Sequence, residues 1–208
     1  SKLPKLGERV FVAPSAHLSG DLEAGDDCSF WFHVAARGDV HWIRIGARTS
    51  VQDGSILHVT HERFPLSIGA DVVIGHACMI HGCRLEDGCL IGIGARVLDG
   101  AVVEPGAQVG AGVFLAPSAD LAGDIEAGDD CSFWFHTAAR GDVHWIRIGA
   151  RTSVQDGTVL HVTHETHPLS IGSDVVIAHG CMIHGCTLED GCLVGIGARV
   201  LDGARVER

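Results

Sequence analysis

The sequence contains no tyrosine and no asparagine, and its aromatics are limited to seven phenylalanines and four tryptophans. It lacks any run of the roughly 18 apolar residues that a membrane-spanning helix requires, so no span is expected. The opening SKLPKLGERV has no apolar stretch of the kind found in secretory signals. The expected compartment is therefore the cytoplasm. Basic residues are scarce, with 15 Lys and Arg against 26 Asp and Glu and a net charge of -11. That balance excludes a broad phosphate-binding face, and nucleic acid is not an expected partner. None of the eight cysteines forms a CxxC pair. They read as small buried side chains rather than as disulfides or zinc knuckles.

Glycine is abundant, at 28 of 208 residues, without a collagen period. Such a chain turns often. With 46% apolar residues there is ample material for a core.

The chain resembles itself. Residues 127–157 repeat residues 24–54 with one change, Val34 to Thr137, and similarity at the same offset runs from about Gly7 to Val206. Near-identity of this degree points to a recent duplication or to an engineered tandem, since surfaces drift readily. A shorter period lies inside the repeat. From Ile91 the chain reads IGIGAR, VLDGAV, VEPGAQ, VGAGVF, LAPSAD, LAGDIE, AGDDCS, FWFHTA, ARGDVH. An apolar or small residue opens each six, and a small or modest residue stands fifth. Neither a helical stripe nor a two-residue alternation accounts for this pattern. A six-residue period is a signature of the parallel β-helix. Each six makes one side of a triangular coil, the opener points inward, and the fifth residue sits near a tight corner. Cys28, Cys78 and Cys89 occupy fifth positions. The frame slips around HWIRIGARTS, between Ile80 and Leu85, and most widely in LHVTHERFPLS, which reads as a loop leaving the coil.

If that loop replaces a single side, Leu57, Ile68, Ile74 and Ile80 are successive openers. His58 and His81 each follow an opener by one residue, so both project from one face on strands about 4.8 Å apart. His76 belongs to the preceding side and reaches the same ion only from another chain. This predicts a three-histidine site shared between subunits, a ligand set of catalytic zinc with one open position. A closed trimer would supply the geometry. The alternative is that each histidine is simply solvent-exposed or satisfied by a carboxylate.

Arg-Gly-Asp at 37–39, Val-Gln-Asp-x4-His at 51–58 and Gly-His-x4-His at 75–81 occur in that order. In this the chain resembles the γ-class carbonic anhydrases and their hexapeptide-repeat relatives. The resemblance implies a left-handed β-helix trimer in which zinc is bound by His58 and His81 of one chain and His76 of its neighbour. The second counterparts are His161, His184 and His179. Iron or cobalt could replace zinc. It further implies reversible hydration of carbon dioxide to bicarbonate at subunit interfaces, by hydroxide generated on zinc, which lowers the pKa of water to roughly 7. Gln52 and Gln155 match a glutamine beside that water. Arg37, Asp39 and Asp53, with Arg140, Asp142 and Asp156, match a charged network that orients the ligands across the interface. The chain departs from the family in having Ser50 and Ser153 where Asn is common, in lacking Tyr, and in a short loop at His61-Glu62 and His164-Glu165.

The sequence thus predicts an all-β protein, a left-handed parallel β-helix. Two units, 1–105 and 106–208, are expected to fuse into one continuous solenoid without the family's C-terminal helix. Three chains are expected to place two layers of three sites roughly 25–30 Å apart, at about 4.8 Å per rung. Two functions are open: a zinc-dependent carbonic anhydrase, or an engineered elongated scaffold whose metal sites are structural and whose activity is lost. A hexapeptide acyltransferase is a third reading.

Overall fold

The computed structural model describes residues 2–208 as short strands joined by tight turns, with no helix among them. Hence no helix of the described residues is long and apolar enough to cross a membrane. Twenty-eight strands stack into one continuous left-handed parallel β-helix. Every pairing between strands is parallel, as a coil that always winds in one sense requires.

The six-residue frame explains the interior. The openers Ile91, Val97, Val103, Val109, Leu115, Leu121, Phe133 and Ala139 are all buried. So are the fifth residues Ala95, Ala101, Ala107, Val113, Ala119, Ile125, Cys131 and Thr137. The fourth residue has a positive φ at successive corners, as at Gly94 (71°), Gly100 (73°) and Gly106 (74°). A residue without Cβ enters that region most easily, and the glycine content follows from it. Corner hydroxyls tie one rung to the next. Ser55 Oγ donates to Gly75 O at 2.7 Å and accepts from Cys78 N at 3.1 Å. All eight cysteines are free and buried, as small core residues.

Two features leave the coil. Along the pair His17–Ala24 and Ala35–Ile45, Gly20 faces Gly38 but Leu22 faces Ile43, so residues 39–42 lie opposite Asp21 alone. The slip in the sequence at this point is a bulge. Ile43 and Ile45 point inward, and Trp42 lies on the outside. Gly20 is required here, because with φ at 80° a Cβ would stand 2.2 Å from Gly38 O. The second feature is the loop at 60–64, closed by an antiparallel bridge between Thr60 and Phe64. It replaces one side only, because Leu57 and Ile80 pair in register on adjacent rungs. Bulge and loop project from the same corner, between the column of Ala36 and Leu57 and the column of Ile45 and Ile68.

The columns correct one expectation. Above Ile80 the same face continues through Val97, Leu115, Phe133, Val154 and Ile177. The last three are counterparts of Phe30, Val51 and Ile74, which occupy a different face in the first repeat. The second histidine strands, Val159–His161 and Met182–His184, stand instead above Ala139, Leu121, Val103, Leu85 and Ile68. The second repeat is therefore turned by one side of the triangle relative to the first. The two histidine sets do not lie in line, because a repeat occupies a number of sides that three does not divide.

Candidate metal centre

His58 and His81 are directly opposed on neighbouring strands. Their rings are 5.1 Å apart at 59°, and His58 Nδ1 lies 3.1 Å from His81 Nε2. Each ring has its own carboxylate behind it. His58 Nε2 is 3.1 Å from Asp39 Oδ1, and His81 Nδ1 is 2.6 Å from Asp99 Oδ1. Asp99 is fixed in turn by the Thr60 hydroxyl, which donates to its Oδ2 at 2.6 Å. The second repeat is built alike. His161 Nδ1 is 3.0 Å from His184 Nε2, His161 Nε2 is 3.0 Å from Asp142, and His184 Nδ1 is 2.6 Å from Asp202.

Arg37 reaches Asp39 at 2.8 Å and holds its carboxyl below the usual aspartate range, with the His58 contact adding to the effect. Arg140 acts likewise on Asp142, at 2.6 Å. Asp202 is lowered by the Thr163 hydroxyl and then by His184. His76 stands at the corner preceding the side of His81. Its Nδ1 is 3.0 Å from Asp53, and its half-exposed ring faces outward. His179 and Asp156 repeat this at 2.8 Å. Gln52 and Asp53 follow the strand Ser50–Val51, with Gln52 N bonded to Ile74 O at 2.9 Å. Gln155 N bonds Ile177 O in the same way.

Among the described residues, no three His, Cys, Asp or Glu side chains of one chain are grouped to hold a metal ion. The fold brings two histidines together and leaves the third on another side. The pair itself fits a metal. Two nitrogens that each bind zinc at 2.0–2.1 Å in a tetrahedron stand about 3.3 Å apart, close to the 3.1 Å between the rings. The proton count points the same way. The row Asp39–His58–His81–Asp99 has three close contacts, each needing a hydrogen. Two neutral imidazoles supply only two. The row is thus built to hold one extra positive charge between its rings, flanked by a carboxylate at each end.

Asp99 and Asp202 are absent from the residues singled out in the sequence. Their signal was present, because each lies eighteen residues, one full rung, beyond His81 or His184.

No family model matches the chain. It is similar to the protein YrdA of Escherichia coli, 47% identical over 98 residues, covering 44% of this chain and 53% of that protein. It is also similar to the mitochondrial gamma carbonic anhydrase 2 of Arabidopsis thaliana, 40% identical over 99 residues, covering 45% of this chain and 36% of that one. The chain thus spans about half the length of the first relative and about a third of the second. Among solved structures it resembles a hexapeptide transferase family protein from Anaplasma phagocytophilum. That match has a TM-score of 0.57 and 32% identity, over 60% of this chain and 73% of the other. With its coil, its six-residue period and these relatives, the chain belongs to the γ-carbonic-anhydrase-like hexapeptide-repeat family.

Proposed function

We propose that the protein is a metal-dependent, carbonic-anhydrase-like enzyme that interconverts carbon dioxide and bicarbonate at sites between the subunits of a homotrimer. The observation that carries this reading is the His58–His81 pair, 3.1 Å apart between nitrogens, with a carboxylate behind each ring and the third histidine out of reach on the same chain. His58 and His81 of one chain and His76 of the next would hold zinc, with cobalt or iron able to replace it. In the second repeat the residues are His161, His184 and His179. When bound, zinc supplies a Lewis acid that makes hydroxide available near neutral pH.

The chain's own groups do the remaining work. Asp99 accepts from His81 Nδ1 and so turns Nε2 toward the ion. Asp39, held by Arg37, and Asp53 take the same part for His58 and His76. Gln52 and Gln155 are proposed to hydrogen-bond the attacking water. The proton released by hydration leaves through solvent or a surface base. His61, exposed on the 60–64 loop, is one candidate.

A second reading is favoured by the near-identity of residues 24–54 and 127–157. An engineered, lengthened coil of two units, 1–105 and 106–208, would keep the histidines as metal staples without turnover. The test is stopped-flow carbon dioxide hydration by protein of measured zinc content, compared with His81→Ala/His184→Ala. Zinc-dependent turnover lost in the variant supports the enzyme. Tightly held metal without turnover supports the scaffold, and absence of zinc, cobalt and iron from the folded protein overturns the enzyme reading and leaves a scaffold that does not need its metal.

A further inference from the structure

The one-side rotation between the repeats constrains how three-histidine centres can be completed. A centre shared between chains needs the His58–His81 face of one coil to meet the His76 corner of the next. That requirement fixes which side of the coil points toward a threefold axis. The second repeat poses the same requirement through His161, His184 and His179, but one side further round. The coil cannot turn to reconcile them. Strand pairing is unbroken through the junction, from Arg96 with Phe114, Val102 with Asp120 and Gln108 with Glu126 to Phe114 with Ser132. A closed trimer whose axis runs along the coils therefore satisfies one set and leaves the other facing away.

The unsatisfied set is not a damaged copy. His161 and His184 are as close as His58 and His81, and the carboxylates Asp142, Asp156 and Asp202 occupy equivalent places. We propose that a closed trimer completes only one three-histidine centre per chain, and that the other set is a metal-dependent docking surface for further copies of this chain. The inference rests on the reading of the histidines as sites shared between subunits. Using both sets places each chain in two threefold clusters about different axes. Such contacts do not close on themselves, so the assembly grows.

The test combines sedimentation velocity with zinc content per chain during titration of metal-stripped protein with zinc. Wild-type protein is expected to grow beyond a closed trimer as zinc approaches two per chain, with a chelator reversing the growth. His58→Ala/His81→Ala and His161→Ala/His184→Ala should each stop at a closed trimer with about one zinc per chain. Deleting residues 103–108, one side of the coil, should bring the two sets into line and give a closed trimer with about two. A wild-type protein that stays a discrete trimer with two zinc ions per chain would overturn the proposal while leaving shared sites intact. No zinc uptake by any of these proteins would overturn the shared-site reading, and the proposal with it.

Discussion

Asp99 stands eighteen residues beyond His81 in the chain and 2.6 Å from its Nδ1 in the fold. The contact fixes the ring tautomer, so that Nε2 faces His58 as an unprotonated donor. Replacing the carboxylate by an amide keeps the shape but removes the charge. Asp99→Asn combined with Asp202→Asn is expected to weaken zinc binding about 10–100-fold, the usual effect of losing such a partner. Competition against a chromogenic chelator would measure it. Unchanged affinity would mean that the carboxylates serve only the loop, through Thr60 and Thr163.

Metal uptake should release protons. A cation between the rings displaces any hydrogen held between His58 Nδ1 and His81 Nε2. Metal and protons compete for the ring nitrogens, so uptake at lower pH is expected to release more protons than uptake at higher pH. Calorimetry in buffers of different ionisation enthalpy would count them, and affinity should rise with pH across the histidine range.

The thiols should be silent in the native protein. Burial pushes Cys89 and Cys186 up to about 11, and Cys83 is raised further by complete burial. At pH 8 the thiolate fraction of these three is small, and all eight side chains are buried. A disulfide reagent is expected to label no cysteine in native protein and all eight after denaturation. Rapid native labelling would show that the coil opens locally.

Acid sensitivity should follow the corner ion pairs. Arg48 holds the Asp71 carboxyl below its ordinary 3.8, and Arg151 does the same for Asp174. Because the folded-state values are depressed, these pairs contribute above the ordinary aspartate range. The contribution is lost as pH falls through the lowered values. Both pairs are exposed, so the effect is small. Asp71→Asn should flatten the fall in melting temperature below about pH 4 without changing the neutral melting temperature by more than a few degrees.

Phe30 and Phe133 are the largest fully buried side chains in the coil. Each fills a rung interior that shorter openers fill elsewhere. Phe133→Ala is expected to cost about 3–5 kcal/mol, transfer and cavity together. Chemical denaturation would read it, and a loss below about 1 kcal/mol would mean that the rung collapses around the gap.

Much of this architecture could be read from the six-residue period, because inward position and corner position each tolerate few side chains. The opposition of His58 and His81 followed from counting sides across the loop. Asp99 escaped because it contacts His81 by side-chain reach between rungs, which the pattern of openers does not encode. The rotation between repeats escaped for another reason. Ala36 and Ile45 are nine residues apart, a span that fits one side with a bulge or two shortened sides. Only the strand register, with Gly20 on Gly38 and Leu22 on Ile43, decides between them. A change of one in that count moves every later face.

Within the coil each rung pairs only with the rungs directly above and below it, with paired residues such as Met79 and Arg96 or Ile56 and Met79 close in the chain, and only the loops reach further, through Thr60 to Asp99 and Thr163 to Asp202. Stability in such a stack is a sum of nearest-neighbour couplings, and folding can start at either end or in the middle. Here two stretches are nearly interchangeable nuclei. A growing coil can accept the matching rungs of another molecule almost as well as its own. Exchange of halves between chains is thus a built-in folding hazard, greatest when the protein refolds at high concentration.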